Sequence, residues 1–340
     1  MKISIGMNLQ PGAWGGGNQF GHVLNRYLSE QGHEVSFDLA CPDLDIILLT
    51  EPDKKLRTSA YDHKDIARYL AWRNRRALVV HRINNSSEAR NDKKREFNKF
   101  RIAANTQVAD HTVFISNWVY ERYVESGFDS AEYSIIMNGG DTRVWFNNKR
   151  PHVSEPLRIV THHWSSNAKK GFDIYECLDA LLTNSDWSKR IVFTYIGPLS
   201  DGYKFNAVQH IQALSGKELA DELRRCDIYL TAALHEAAGM HHIEGALCGL
   251  PLLYRKSGAL PEYCQGFGVE FTDGNFEKKL KEMINEYDHW QTRMARYPYT
   301  AEKMCQSYCE LFESLLSRRD ELLTKRRLWC RLKYLLKAFC

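Results

Sequence analysis

The sequence predicts an α/β protein of two domains, each built on a mostly parallel sheet with helices on both faces. Three observations lead there. At 340 residues the chain exceeds what one typical hydrophobic core organises. Short apolar, strand-like runs alternate with helical segments through both halves, which is the pattern of parallel pairing. A stretch rich in asparagine, basic residues and two prolines, over about 146–156, reads as the joint between them. The expected organisation is therefore a first domain over 1–150, a second over 151–300, and a C-terminal stretch of helices with a basic tail over 301–340.

Composition narrows the class. A hydrophobic share of 44% and a charged share of 26% are ordinary for a soluble globular protein and exclude disordered or fibrous chains. No run approaches the roughly 20 apolar residues of a membrane span, and the N-terminus lacks a signal-peptide pattern. The nine cysteines are scattered, odd in number and contain no C-x-x-C pair. A reducing cytoplasm with cysteines acting as small hydrophobes is the natural expectation. The net charge of +4 is mild and no nucleic-acid motif accompanies it, so no nucleic-acid partner is expected.

In the first half, residues 1–7 read as a strand, followed by a glycine-rich loop over 11–17 and a helix over 18–31 that Gly32 ends. Further strands are expected over 35–38, 45–49, 77–81, 113–116 and 133–137. His81 closes the strand 77–81, and the carboxyl end of an inner strand is where open α/β sheets bind ligands. Arg82 follows it, a guanidinium suited to phosphate or to an acidic acceptor. Ser116-Asn117 and Asn138-Gly139-Gly140-Asp141 have the composition of turns and helix caps.

In the second half, residues 157–161 form a strand before the loop His162-His163-Trp164-Ser165-Ser166-Asn167-Ala168-Lys169-Lys170-Gly171-Phe172-Asp173. A buried strand over 192–197 follows, and Leu219 and Leu223 have helical spacing. A strand over 227–231 then leads into His235-Glu236-Ala237-Ala238-Gly239-Met240-His241-His242-Ile243-Glu244 and on to Gly249-Leu250-Pro251. This places Glu236 in a loop and Glu244 on the inner face of a helix. The helix's first amides, near Ala238, Gly239 and Met240, favour an anion. Glu244 is suited to accept hydrogen bonds from two neighbouring hydroxyls, as a ribose offers. A phosphate seat beside a diol clamp suits a nucleotide-sugar.

Spacing bears on the other readings. The zinc-protease pattern H-E-x-x-H needs a histidine where this chain has Gly239. His241 and His242 are adjacent and point to different sides of a helix, which suits solvent-facing or supporting positions better than joint chelation. Gly15-x-Gly17 followed by Gly21, with Asp38 ending the second strand, is a near miss to the dinucleotide fingerprint and keeps a nicotinamide-dependent dehydrogenase as a rival.

The run from Glu236 through Glu244, Gly249-Leu250-Pro251 and Gly258-Ala259-Leu260-Pro261-Glu262 resembles the E-x7-E signature of retaining GT-B glycosyltransferases, specifically glycosyltransferase family 4. The resemblance spans about 157–270 and is sparser over the first 150 residues. It implies a GT-B fold, two Rossmann-like domains facing across a cleft. It also implies transfer of a sugar, with retention, from a nucleotide-sugar to a hydroxyl of a glycan or lipid-linked glycan, in cell-surface polysaccharide synthesis. Glu236 and His81 take the catalytic positions by the transferred sugar. Gly16, Gly17, Lys170, Ala238, Gly239, Met240 and Glu244 take the donor-binding ones. Gly15, Arg82, His163 and Lys169 are further candidates for phosphate or acceptor contact. The family's R-x4-K motif is incomplete: five residues before Lys170 stands Ser165, and before Lys169 stands Trp164. Lys169 or a histidine of this loop could substitute; otherwise the chain is a weak or inactive nucleotide- or sugar-binding protein on the same fold. The scheme requires no cofactor and no metal, and no Asp-x-Asp motif is present.

At the carboxyl end, Arg318, Arg319, Lys325, Arg326, Arg327, Arg331, Lys333 and Lys337 interleave with Leu322, Leu328, Trp329, Leu332, Tyr334, Leu335 and Phe339. This pattern suits an amphipathic helix on an anionic membrane surface or a solvated terminal helix packed on its own domain. The GT-B resemblance implies a C-terminal helix that often crosses back to the first domain. The expected location is the cytoplasm, peripheral on the inner face of the membrane.

Overall fold

The computed structural model describes residues 1–11, 15–148 and 156–326. The chain divides into two compact units, one of residues 1–138 together with the chain from 301, the other of 139–300.

In the first unit the apolar runs become β1 (Lys2–Ile5), β2 (Glu34–Ser36), β3 (Ile46–Leu49), β4 (Leu78–Ile83), β5 (His111–Phe114) and β6 (Tyr133–Ile135). Among the described residues they form one parallel sheet in the order β2-β1-β3-β4-β5-β6. The strand side chains alternate between two cores, as the period of two demands. Ile46, Leu48, Leu78 and Val80 join the core under α1 (Gly16–Glu30), while Ile47, Leu49 and Val79 join Ile66 and Leu70 of α2 (His63–Trp72). Asp62 caps α2 in a full capping box. After α3 (Glu96–Val108), Ser116 caps α4 (Asn117–Val124) by accepting from the Val119 N–H at 3.2 Å.

In the second unit, β7 (Leu157–His162), β8 (Ile191–Ile196), β9 (Gln209–Ile211), β10 (Ile228–Thr231), β11 (Leu252–Arg255) and β12 (Gly268–Phe271) pair in parallel in the order β12-β11-β10-β7-β8-β9. The helices are α5 (Phe172–Leu182), α6 (Ser185–Ser188), α7 (Gly216–Arg224), α8 (Met240–Leu247), α9 (Leu260–Cys264), α10 (Phe276–Asn285) and α11 (Tyr287–Arg293). Strand order reverses between β7 and β10. In open α/β sheets such a reversal, at the strands' carboxyl ends, is where ligands bind.

The division falls at Asn138 rather than at 150. The residues just after it are tied into the second unit: the Gly140 N–H donates to the Tyr299 carbonyl at 3.2 Å, Trp145 is buried, and Arg224 donates to the Val144 carbonyl at 3.1 Å. The expected separate stretch from 301 instead completes the first unit. Its helix α12 (Ala301–Ser317) buries Tyr308, Phe312 and Leu315 in the core beneath α1, with the Tyr308 and Phe20 rings 5.3 Å apart.

The helix α13 (Arg319–Lys325) also alters the expectation for the basic tail. Arg318 and Lys325 pair with Glu132 at 3.1 and 2.9 Å, Arg319 with Asp45 at 2.7 Å, and Arg326 with the buried Asp110. These ion pairs hold α13 on its own unit. Residues 327–340 lie outside the described residues, as do Gly12, Ala13 and Trp14 of the glycine-rich loop and 149–155 of the expected joint. No helix among the described residues is long and apolar enough to cross a membrane.

Candidate functional site

The expected site residues fall in both units. In the second unit they gather at the carboxyl ends of β7 and β10. Beyond β10 the chain turns through His235, whose φ of +53° is unusual for a residue with a side chain, and reaches Glu236. Three backbone N–H groups fix this loop: Leu234 N–H donates to the Lys169 carbonyl at 2.7 Å, His235 N–H to Ser257 Oγ at 2.8 Å, and Ala259 N–H to the Glu236 carbonyl at 2.7 Å.

Two glycines make that clamp possible. Gly258 has φ +61°, and a Cβ there would lie 2.3 Å from the Glu236 carbonyl oxygen. Gly171 has φ +96°, and a Cβ would lie 2.4 Å from Ala232 Cβ. Only glycine tolerates both the left-handed backbone and the approach. The approach at Gly171 brings the turn Ala168–Lys170 against the loop, where Lys170 Nζ meets Glu236 Oε2 at 3.1 Å. Asp173, in the first turn of α5, pairs with Arg255 at the end of β11 at 2.6 Å, fastening the Lys-Gly-Phe-Asp segment to the sheet.

Helix α8 begins beside Glu236. Its cap is Gly239, which supplies no side-chain hydrogen bond to the first turn. A Cβ on Gly239 would stand 3.0 Å from the Glu236 carboxyl carbon, so carboxylate, ammonium and helix start are neighbours. One fixed cation and the positive end of a helix within a few ångströms form an anion-binding arrangement.

Glu244 departs from expectation. It is 2% exposed, and its Oε2 takes a 2.8 Å hydrogen bond from His162 Nε2. Oε1 is buried with no partner among the described residues. Glu244 was expected to accept hydrogen bonds from two neighbouring hydroxyls; the last residue of β7 takes one of its oxygens. His163 is also turned inward: its Nε2 lies 2.7 Å from Tyr175 Oη, and burial pushes its pKa well down. It is a neutral core residue, not a substitute for the missing arginine. His241 and His242 are buried rather than solvent-facing. His241 Nε2 meets Thr231 Oγ1 at 2.9 Å, while burial pushes His242 down to about 4. Lys169 is half-buried beside Lys170, and burial lowers its pKa.

In the first unit, Gly15 caps α1, and Gly16 and Gly17 open it. Gly17 faces Asn84, just past β4: a Cβ on it would lie 3.9 Å from the Asn84 amide nitrogen. His81 does not close its strand. It lies inside β4, fully buried, with Nδ1 3.1 Å from Asn105 Nδ2 and Nε2 lacking a partner among the described residues. Burial pushes it down to about 3, so it is neutral at physiological pH. Arg82 is likewise buried, where phosphate or acceptor contact was expected. It donates to Asn138 Oδ1 at 2.9 Å and lies 3.8 Å over the Phe20 ring.

No family model and no curated protein matches the sequence. Solved structures do match its shape. HepE of Anabaena, solved in complex with UDP-glucose, is 15% identical with a TM-score of 0.64 over 93% of this chain and 100% of that one. A glycosyltransferase from Rickettsia africae is 14% identical, with a TM-score of 0.67 over 93% and 98%. The catalytic domain of starch synthase IV from Arabidopsis thaliana, bound to ADP and acarbose, is 12% identical, with a TM-score of 0.66 over 93% and 99%.

The fold is GT-B.

Within this GT-B chain, Lys170, Glu236 and Gly239 are neighbours, with Ala238 and Met240 flanking the helix start. The residue that the sequence offered only as one of the loop histidines able to replace the arginine, and not as a partner of Glu244, is His162. Its signal was its place at the carboxyl end of β7, beside the reversal in strand order, which becomes visible only once the sheet is assembled.

Proposed function

We propose that the chain is a glycosyltransferase that moves a sugar, with retention of configuration, from a nucleoside-diphosphate sugar to a hydroxyl of a glycan or lipid-linked glycan, in cell-surface polysaccharide synthesis. The single observation that carries this is the meeting of Lys170, Glu236 and the start of α8 at the switch point of the second sheet. It is supported by the E-x7-E resemblance and by structural neighbours solved with UDP-glucose or ADP.

Charge dictates the roles. Breaking the sugar–diphosphate bond builds negative charge on the leaving phosphate and positive charge at the anomeric carbon. Lys170 and the α8 amides near Gly239 stabilise the first. Donor phosphate competes with Glu236 for the Lys170 ammonium, which frees the Glu236 carboxylate to orient the transferred sugar. The acceptor hydroxyl attacks on the face that the nucleotide leaves, and a phosphate oxygen takes its proton. The basic, aromatic-rich sequence after 326 attaches the enzyme to the anionic cytoplasmic face of the membrane.

The test is binding and turnover together. Nucleoside diphosphates (UDP, GDP, ADP, CDP, dTDP) are screened by thermal shift, and the matching nucleotide-sugars by release of diphosphate. Lys170→Ala is expected to weaken diphosphate binding by roughly ten- to a hundredfold, the range for a hydrogen bond to a charged group. Glu236→Gln is expected to keep binding and lose turnover. A second reading, a binding protein without catalysis, is favoured by Ser165 standing in the arginine position of R-x4-K. Diphosphate binding with no turnover by the wild-type chain selects it.

A further inference from the structure

We infer that His162 is a positioning residue, which with Tyr229 holds the Glu244 carboxylate so that one oxygen is kept for the vicinal hydroxyls of a ribose. This rests on the donor site proposed above. It adds a residue from β7 that neither E-x7-E nor R-x4-K contains.

Three buried groups stand in a row. Tyr229, on β10, is fully buried, and burial pushes its phenol well above the usual range, so it stays a hydroxyl. Its oxygen accepts from the His162 backbone N–H at 3.2 Å and lies 3.1 Å from His162 Nδ1. With the phenol hydrogen turned to Nδ1, the ring hydrogen sits on Nε2 and donates to Glu244 Oε2 at 2.8 Å. A carboxylate, an imidazole and a hydroxyl so linked fix the tautomer and the orientation of one another, as groups behind a ligand-contacting residue do. The three side chains converge from β7, β10 and α8, the elements flanking the reversal in strand order.

The second observation is Glu244 Oε1. It is buried and has no hydrogen-bond partner among the described residues. Leaving a buried carboxylate oxygen unpaired is costly, and donors brought by a bound ribose would relieve that cost. Its counterpart Oε2 is satisfied, so the carboxylate is half held and half open to pairing. Because Oε1 is covered, engaging a ribose needs a local shift of its surroundings, and the missing hydrogen bond lowers what that shift costs.

The experiment compares UDP, GDP and ADP with their 2′-deoxy counterparts by calorimetry. It uses the wild-type chain, Glu244→Ala, His162→Ala, His162→Gln and the double variant His162→Ala/Glu244→Ala. The wild type is expected to prefer the ribonucleotide by on the order of tenfold, the lower range for a hydrogen bond to a charged group. Glu244→Ala and His162→Ala are both expected to abolish that preference while leaving the affinity for the 2′-deoxy compound within about twofold. His162→Gln, whose amide can still donate to Oε2, is expected to restore part of it. The double variant is expected to be no worse than either single one, since the two residues act as a unit. A merely structural role for His162 would instead weaken both nucleotides equally, and that result overturns the inference. Preference lost in Glu244→Ala but kept in His162→Ala overturns the positioning role alone. Preference kept in Glu244→Ala, or binding of no nucleotide by the wild type, overturns the ribose role of Glu244 and the positioning role with it.

Discussion

His242 shows what single residues in this protein contribute. It is fully buried in α8, and neither ring nitrogen has a hydrogen-bond partner among the described residues. Burial is the main cause of its depressed pKa; Glu236 opposes the shift, and Lys170 and His162 add to it. An ordinary histidine in the unfolded chain titrates near 6.5, and this one is pushed down to about 4. Between those values the unfolded chain binds the extra proton, so stability rises with pH through that window and falls on acidification. At pH 5 the loss is on the order of 2 kcal/mol for this residue alone. His81, His163 and His241 are shifted in the same direction by burial. We therefore expect the melting temperature to drop between pH 7 and pH 5, and His242→Phe to make that drop shallower. A His242→Phe profile parallel to the wild type in a pH-dependent melting series would mean the residue takes up its proton while folded. The titration was not legible in the sequence, where the adjacent histidines read as solvent-facing or supporting residues. Their cover comes from distant segments, with Thr231 of β10 meeting His241 and Tyr263 of α9 packing on His242, and helical spacing does not report which faces are covered.

Among the elements, those tied to local chemistry were the most legible. The cap at Ser116, the start of α8 at Gly239 and the Lys-Gly turn before α5 all depend on residues within a few positions of one another. The sequence pattern ends β4 two residues early. His81 and Arg82 look like a polar strand end, yet β5 continues the pairing with Arg82 opposite Val113 and Ile83 opposite Phe114. Pairing with a neighbour strand overrode side-chain polarity, because Asn105 and Asn138 satisfy polar atoms of these two side chains from other segments. The loop that carries Glu236 is likewise set from a distance, by Gly258. In Gly258→Ala the new Cβ meets backbone at 2.3 Å in a left-handed conformation, and the loop must give way. The expected cost is about 1–3 kcal/mol in stability. Turnover should fall further than that loss explains, since Glu236 moves with its own carbonyl. Wild-type turnover per folded molecule of Gly258→Ala would show that the Glu236 loop is held by its other two hydrogen bonds.

At the scale of the whole molecule, the paired α/β plan was legible because alternating strands and helices dictate it. The point of division was not. Nothing in the local composition shows that the chain returns at 301 to finish the first unit, because the partners of α12 lie nearly 300 positions earlier, in α1 and β1. That return is a stability element. Phe312 is fully buried, and Phe312→Ala is expected to cost about 3–5 kcal/mol, read as a lowered denaturant midpoint. The return also separates two roles within the basic C-terminal sequence. Arg318, Arg319, Lys325 and Arg326 pair with Glu132, Asp45 and Asp110, so their charge is committed to the first unit. The membrane attachment proposed above then rests on the remaining Arg327, Arg331, Lys333 and Lys337 with Trp329, Tyr334 and Phe339. Four cations near an anionic surface contribute about 1 kcal/mol each and are screened by salt. A chain ending after Arg326 should therefore keep its melting temperature within a few degrees but lose co-sedimentation with phosphatidylglycerol vesicles. The full chain should bind those vesicles, release them at high salt and ignore phosphatidylcholine. Vesicle binding that survives the shortening would place the membrane contact on the folded units instead. A large fall in melting temperature on shortening would show that the last residues are part of the first unit's core.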